Sequence, residues 1–194
     1  MSDLDRAAAL LDFWFGPPGS AERERSRDVW FASDPAFDAT CRQRFLADQH
    51  RAAADGLAHW RAAPESCLAL VLLLDQLPRN LFRGSPLAYA SDPLARQVAR
   101  QALAAGFDAA LPPVWRWFLY LPFEHSENLA DQAMSLRLHA GLPEDEDKPQ
   151  LLDYARRHYE IIARFGRFPH RNTILGRAST AEEEAFLRQP DSSF

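Results

Sequence analysis

Residues 67–74 of the chain read CLALVLLL, a run with no polar side chain on any side. A helix that is apolar all round is typical of a central position, surrounded by other helices. A buried strand has the same kind of run, but the leucine content and Pro64, a good first residue for a helix, favour a helix here. We therefore predict a helix that starts near Pro64 and forms the centre of the fold.

The segments on either side of this run also have helical patterns, and none is typical of a strand. In Asp3–Phe15 apolar residues recur with the helical period of about 3.6 residues, and a Gly-Pro-Pro-Gly sequence follows. Asp34-Pro35 and Asp92-Pro93 each offer a cap followed by a proline at the first helical position. Further helices are predicted from Pro112-Pro113 to an interruption at Pro122, from about Glu124 to His139, from about Gln150 to Arg164, and after the capping box Ser179-Thr180-Ala181-Glu182-Glu183.

About eight helices joined by short loops indicate an all-α fold. The length of 194 residues is typical of one domain, so we predict a single all-α domain over residues 1–194. We expect antiparallel hairpins in a tetratricopeptide-like bundle or solenoid. No clean repeat of about 34 residues is present, although Ala104–Pro113 is faintly similar to the end of a tetratricopeptide unit.

Composition excludes several classes of partner. The net charge of −5 lacks the electrostatic footprint of a nucleic-acid-binding protein. The longest apolar run is far shorter than the ~20 residues of a membrane span, and the acidic first residues differ from the basic start of a signal peptide. Cys41 and Cys67 lie in apolar surroundings and predict buried free thiols. We expect a soluble cytoplasmic protein with no nucleic-acid or membrane partner.

Three segments combine an apolar context with clustered polar groups, and the first is residues 74–80 at the end of the apolar helix. Asp75 and Arg79 are four residues apart and share a face if the helix continues. Pro78 has no N–H and frees the Leu74 carbonyl, which Gln76, Arg79 or Asn80 could satisfy. This segment is either a polar plug that ends a buried helix or part of a functional site.

The second segment is residues 122–128, PFEHSEN. On a helix, Glu124, Glu127, Asn128 and Asp131 would share one face, and His125 would lie on an adjoining face. Two carboxylates beside an imidazole suit acid/base catalysis or a metal, but acidic residues also stabilise the first turn of a helix.

The third segment is residues 166–172, GRFPHRN, followed by Arg177. Pro169 disfavours a helical conformation at Phe168, so His170, Arg171 and Asn172 should stand on a fixed, non-helical turn. Arg167, Arg171 and Arg177 concentrate positive charge and suit an anionic group. Alternatively, these arginines neutralise Asp75, Glu124 and Glu127 in a buried network with no space for a ligand.

The other histidines carry weaker signals. His158, on the preceding helix, could point at the site, but its context favours a surface or half-buried side chain. His50, His59 and His139 have no distinctive context. The aromatic run Val114–Phe123 indicates a core segment, because Arg116 is its one basic residue and a nucleic-acid stacking surface interleaves several.

These segments, together with the start of the chain, resemble a bacterial family known as domain of unknown function 924. The resemblance covers Leu10 to Leu187, nearly the whole chain. The residues that carry it are Asp12-Phe13-Trp14-Phe15, Trp30-Phe31, Leu73, Asp75-Gln76, Pro78-Arg79-Asn80, Tyr120, Pro122–Glu127, Arg164–Asn172, Leu175-Gly176-Arg177 and Ser179-Thr180. Leu77 stands where the family has Phe, a conservative exchange. The resemblance implies a tetratricopeptide-like helical fold and no particular activity.

Our first functional hypothesis is a composite polar pocket that binds a small anionic ligand, with metal-independent hydrolysis or another acid/base reaction as the activity. The hypothesis contains no metal and no cofactor. Its catalytic candidates are His125, His170, Glu124, Glu127 and Asp75, and its ligand-binding candidates are Arg79, Asn80, Arg171, Asn172 and Arg177.

Two alternatives stay open. A tetratricopeptide-like module could present a groove to a peptide or protein partner, with the polar segments acting as cross-links between helices. A zinc site built from His125, His170 and nearby carboxylates lacks a spacing signature, and the neighbouring arginines would repel a cation.

Overall fold

The structure is a computed structural model that describes residues 2–190 and residue 192. Within this part of the chain the regular elements are all helical, which confirms the all-α prediction. The helices are α1 (Asp3–Phe15), α2 (Pro35–Ala53), α3 (Pro64–Val71 with its continuation to Leu81), α4 (Asp92–Ala104), α5 (Pro113–Glu124), α6 (Leu129–Ala140), α7 (Lys148–Phe165) and α8 (Ala181–Leu187).

Helix α3 changes its winding along its length. The α-helix Pro64–Val71 is followed by a π-helical turn, Leu72–Gln76, and by a last α-helical segment, Leu77–Leu81. The Leu77 amide donates to the Leu72 carbonyl five residues back, which is the π-helical spacing. The helix predicted from Pro64 is therefore confirmed, and its polar end follows a wider turn than an α-helix would give.

Contacts between residues divide the chain into two compact units, and the first comprises residues 1–83 and 87–122. In this unit α1, α2 and α4 pack against α3. Every residue from Ser66 to Pro78 is buried. This burial confirms the predicted central position of α3.

Aromatic side chains fill the rest of the first unit's core. Phe15 stacks on Trp115 with ring centroids 4.5 Å apart, and Trp14 meets Phe118 edge-on at 5.6 Å. The core assignment of the aromatic run is thus confirmed. The interruption predicted at Pro122 is wrong, since α5 continues through it to Glu124. Burial of the aromatic side chains offsets the one helical hydrogen bond that proline removes.

The second unit comprises residues 84–86 and 123–194. Helices α6 and α7 pack against each other, and α8 packs on a short 3-10 turn, Pro169–Arg171. Ile161, Ile162 and Phe168 form a buried core cluster in this unit. The predicted capping box is present at the start of α8, where Thr180 and Glu183 exchange side-chain and backbone hydrogen bonds.

The start of α6 differs from the prediction. We expected one helix from Glu124 to His139, but α5 ends at Glu124 and α6 begins at Leu129. The Asn128 side chain caps α6 by accepting hydrogen bonds from the Ala130 and Asp131 amides at 2.9 and 3.4 Å. The common helix face predicted for Glu124, Glu127 and Asn128 is therefore wrong, because a loop separates them.

Both cysteines are free and buried, as predicted. Burial raises the pKa of the Cys41 thiol to about 12 and that of Cys67 to about 11. No helix among the described residues is both long enough and apolar enough to cross a membrane. The single domain and the tetratricopeptide-like arrangement stay predictions.

Candidate functional site

The polar end of α3 brings two predicted site residues together in the first unit. The Arg79 guanidinium lies 3.5 Å from Asp75 Oδ1 and donates to both carboxylate oxygens of Asp92 at 3.2 Å. Gln76 donates to Asp75 Oδ2 at 2.6 Å. Burial lowers the pKa of Arg79, but the charges of Asp75 and Asp92 outweigh it and hold that pKa above its ordinary value. Asp75 and Arg79 therefore lie on one side of the helix, as predicted, and they form an ion pair.

A serine satisfies the carbonyl that Pro78 frees. The Ser91 hydroxyl donates to the Leu74 carbonyl oxygen at 2.6 Å, and the bond is buried. We had expected Gln76, Arg79 or Asn80 in this role. That expectation is wrong, because Ser91 precedes α4 and reaches the carbonyl from a neighbouring segment.

Asn80 does not bond to Asp75 or Arg79 but to a residue of α2. Its side-chain amide donates to Asp38 Oδ1 at 2.8 Å, and Arg83 donates to Asp38 Oδ2 at 3.0 Å. Asp38 lies on α2, so these bonds join α2 to the end of α3. In the first unit Asn80 therefore links two helices.

In the second unit a buried carboxylate faces two histidines. Glu124 is 4% exposed. Its Oε1 lies 3.3 Å from Nδ1 of His158, and its Oε2 lies 3.8 Å from Nδ1 of His139. Ser135 Oγ donates to Glu124 Oε2 at 3.3 Å. A buried carboxylate needs such partners, because leaving it alone in a low dielectric costs several kcal/mol.

Helix α6 also holds the backbone beside Glu124. The Gln132 side-chain amide donates to the Glu124 and Ser126 carbonyls at 2.6 and 2.7 Å. These bonds satisfy carbonyls at the end of α5. They also fix the amide orientation, because only its nitrogen can donate to two carbonyls. The Gln132 Oε1 atom is buried and has no hydrogen-bond partner among the described residues.

In each of the two buried histidines, Nδ1 lies close to a backbone carbonyl of the helix that carries the histidine. His158 Nδ1 lies 2.8 Å from the Tyr154 carbonyl, and His139 Nδ1 lies 3.0 Å from the Ser135 carbonyl. A carbonyl only accepts, so each Nδ1 carries the hydrogen and each Nε2 carries a lone pair in the neutral ring. Burial lowers the pKa of His139 to about 4 and holds that of His158 well below its ordinary value, although the carbonyl bonds act in the opposite direction.

Two half-buried histidines and an arginine stand next to this group. The ring centroids of His125 and His158 are 6.4 Å apart, and Arg171 Nη1 donates to the His125 carbonyl at 3.1 Å. Burial, followed by the charge of Arg171, lowers the pKa of His170 to about 4. We use the name histidine cluster for the set that these contacts and the electrostatic effect on His170 join: Glu124, His125, His139, His158, His170 and Arg171.

Glu127, Arg177 and Asn172 form a separate network in the second unit. Arg177 donates to both Glu127 oxygens at 2.7 and 2.9 Å, and its Nε donates to Asn172 Oδ1 at 3.0 Å. Burial raises the pKa of Glu127, but the bonds from Arg177 and Phe168 hold it below its ordinary value. The expectation that a nearby arginine neutralises Glu127 is confirmed for Arg177.

Arg167, by contrast, forms an ion pair with Glu183 of α8 at 2.6 Å. Its ion-pair partner is therefore none of the three predicted ones, which were Asp75, Glu124 and Glu127. The predicted extended conformation of Phe168 before Pro169 is confirmed. His170 and Arg171 belong to a short 3-10 turn, so the non-helical turn predicted for them is wrong.

In the described part of the chain no group of three or more His, Cys, Asp or Glu side chains could hold a metal ion. One shallow depression in the first unit is lined by residues 19–21 and 23–25. Another, in the second unit, is lined by α7 and α8 side chains such as Ile161, Phe165 and Phe186. Neither depression contains a predicted site residue.

Comparison with known proteins identifies a family. The sequence signature of the family described as "Bacterial protein of unknown function (DUF924)" matches residues 10–191, nearly the whole chain. The chain belongs to this family. The resemblance found from the motifs is therefore confirmed.

The DUF924 chain is also similar to a protein with a solved structure. That protein is the protein of unknown function ATU0120 from Agrobacterium tumefaciens, which is 42% identical in sequence. The match covers 96% of this chain and 99% of the other, with a TM-score of 0.86. No curated protein matches the DUF924 chain. These comparisons show the family and the fold.

His139 and His158 were not among the site residues predicted from the sequence. His158 was expected to be at the surface or half-buried, and this was wrong because it lies on the buried stripe of α7 with Ala155 and Ile162. His139 follows Gln132 and Ser135 at spacings of seven and four residues on one buried face of α6. Helical spacing to apolar or small buried neighbours is the signal that could have identified both.

Proposed function

We propose that the histidine cluster binds a small anionic ligand and catalyses a metal-independent acid/base reaction. The observation that carries the proposal is the position of Glu124 Oε1, 3.3 Å from His158 Nδ1. A carboxylate behind one ring nitrogen orients an imidazole and stabilises its protonated form, while the other nitrogen exchanges the proton. This is the base-and-orienter arrangement of many acid/base sites.

The ligand's anionic group would bind Arg171. Arg171 is the guanidinium of the cluster, and its planar fork suits a carboxylate or a phosphate. Gln132 Oε1 supplies a buried acceptor beside Glu124 for a ligand N–H or O–H. His125 and His170 are the half-buried histidines of the cluster, so a ligand from solvent meets them before it reaches His158, the buried histidine that exchanges the proton.

The catalytic set of this proposal is smaller than the set predicted from the sequence. Asp75, Arg79 and Asn80 are bonded within the first unit, which supports a structural role at the end of α3. Glu127, Asn172 and Arg177 are bonded to each other, which supports a role behind the site. A pocket shared by all three segments stays a prediction.

The test is ligand binding observed through the histidine side-chain NMR signals. We expect inorganic phosphate or acetate to shift the His125 and His170 signals of the wild-type protein saturably at pH 7. Arg171→Gln should weaken binding about tenfold or more, since a charged hydrogen bond contributes about 1.5–3 kcal/mol. Arg164→Gln is the matched control, because Arg164 pairs with Glu182 at the exposed surface of the same unit. Absence of saturable shifts, or equal binding by Arg171→Gln, would contradict the proposal.

A protein-interaction module is the second candidate function. The bonded networks around Asp75 and Glu127 support it, because cross-links of this kind hold helices together without binding anything. Leu129 and Tyr154 are large exposed side chains on α6 and α7, and such residues suit a docking surface. In this case His125→Ala would lower the melting temperature and no small-anion effect would exist to be lost. A cytoplasmic location is part of both proposals, because buried free thiols suit a reducing compartment.

A further inference from the structure

The Glu127–Arg177 ion pair holds both peptide groups of a single residue, Phe168. Glu127 Oε1 accepts a hydrogen bond from the Phe168 amide at 2.8 Å. Arg177 Nη2 donates to the Phe168 carbonyl at 3.1 Å while also donating to Glu127 Oε1 at 2.9 Å. The bidentate pair therefore fixes the backbone of Phe168 on both sides of its Cα atom.

Phe168 needs such partners because of its place in the chain. It has an extended conformation, φ −87° and ψ 109°, between the end of α7 and the turn that starts at Pro169. A residue outside a helix has no helical partner for its amide, and a buried amide without a partner costs about 1–3 kcal/mol. Its carbonyl also accepts from the Arg171 amide at 3.1 Å, which begins the 3-10 turn.

The ring of Phe168 touches three members of the histidine cluster. The Arg171 guanidinium carbon lies 4.4 Å from the ring centroid. The His158 ring meets it edge-on at 5.5 Å, and the His170 ring lies at the same distance, tilted by 38°. The ring is fully buried, so a movement of the Phe168 backbone would displace all three side chains.

We propose that Glu127 and Arg177 are positioning residues, which set Arg171, His158 and His170 in place through the backbone and the ring of Phe168. From the sequence, Glu127 was predicted to be catalytic and Arg177 to bind a ligand. The geometry points instead to a clamp behind the histidine cluster. This inference concerns the ligand-free protein and stands or falls independently of the proposed function.

The test is the pKa of His170, measured by NMR titration without any ligand. Arg171, Glu127, Arg177 and His125 all act on this pKa through their charges. Arg177→Lys keeps the positive charge, so its direct electrostatic effect on His170 stays close to that of arginine. An ammonium cannot donate to both Glu127 oxygens and to the Phe168 carbonyl in the planar geometry of a guanidinium.

We expect Arg177→Lys to raise the pKa of His170 from about 4 toward its ordinary value of about 6.5, because the ring becomes hydrated and Arg171 moves away. Arg164→Lys is the matched control, since it changes the Arg164–Glu182 pair of the same unit and should leave the His170 titration unchanged. A pKa that is the same in Arg177→Lys and in the wild-type protein overturns the proposal.

Glu127→Ala and Glu127→Gln give an independent test with opposite signs. The charge of Glu127 raises the pKa of His170, so direct electrostatics alone would make that pKa fall when the carboxylate is removed. Loss of the clamp makes it rise, and we expect a rise in Glu127→Ala. Glu127→Gln removes the same charge but retains an acceptor for the Phe168 amide, so we expect the pKa of His170 to fall in this variant. A fall in both variants overturns the proposal, and if Glu127→Ala does not fold, Arg177→Lys decides alone.

Discussion

The bond from Ser91 Oγ to the Leu74 carbonyl gives a stability prediction for the end of α3. Pro78 lies four residues after Leu74 and has no N–H to donate to the buried Leu74 carbonyl. The Ser91 hydroxyl donates to this carbonyl instead, at 2.6 Å. Ser91→Ala leaves the carbonyl unsatisfied, which costs about 1–3 kcal/mol. In a chain of this length the melting temperature falls by about 2–4 °C per kcal/mol, so we expect a decrease of about 2–12 °C.

A double-mutant cycle tests the reason for this cost. Pro78→Ala introduces an amide where α-helical winding resumes after the π-helical turn, at the position from which an α-helical bond reaches the Leu74 carbonyl four residues back. In the Pro78→Ala background, Ser91→Ala should therefore cost at least about 1 kcal/mol less than in the wild-type protein. Urea unfolding of the four proteins, followed by tryptophan fluorescence, measures each free energy of unfolding.

Thr40→Val is the control for the cycle. Thr40 Oγ1 donates to the Ala36 carbonyl at 2.9 Å, but this carbonyl lies inside α2 and the bond is exposed. Its removal should change the free energy of unfolding by less than about 0.5 kcal/mol. If Ser91→Ala and Pro78→Ala are additive, Ser91 does not replace the missing amide, and the explanation given for this bond is wrong.

Two further predictions concern the second unit. Burial holds the pKa of His139 near 4, below its ordinary 6.5, so the unfolded chain binds more protons between these pH values. The contribution of His139 to the free energy of unfolding is complete above about pH 6.5. It is lost as the pH falls toward 4, by up to about 1.4 kcal/mol per pH unit. Urea unfolding at several pH values should show that the free energy of unfolding depends less on pH in His139→Gln than in the wild-type protein. An equal pH dependence in the two proteins would refute this prediction. Glu183→Ala removes the bonds from Arg167 and from the Thr180 amide and should cost about 1–2 kcal/mol in the same assay. Glu184→Ala, an exposed neighbour, should have almost no effect, and equal costs would contradict the role given to Glu183.

Much of the fold was predictable because it depends on local signals. The all-apolar run identified α3 as central, and Asp34 and Thr180 mark the starts of α2 and α8 by the capping chemistry expected of them. The boundary between α5 and α6 was predicted wrongly. Pro122 is a strong helix breaker in isolation, but aromatic packing holds the helix through it, and packing is not visible in a short window of sequence.

The candidate site was less predictable than the fold. Glu124, His125, His170 and Arg171 were identified by residue type. Their contacts with His139 and His158 depend on how α6 and α7 pack, which the linear sequence does not specify. Ser91 was missed for the same reason, because its partner Leu74 is seventeen residues away and on another helix.

The π-helical turn in α3 makes the polar end of that helix tolerant of the loss of one residue. A π-turn accommodates one residue more than an α-helical turn, so deleting one of Leu72, Leu73 or Leu74 would restore regular winding. The side chains beyond the deletion would then keep about the same directions around the helix axis, and Arg79 would still face Asp92. The same deletion in a regular stretch of α-helix would instead rotate every later side chain by about 100°, the angle between consecutive residues. A single-codon deletion among these three leucines would thus leave the charged residues paired, at the cost of one buried leucine side chain.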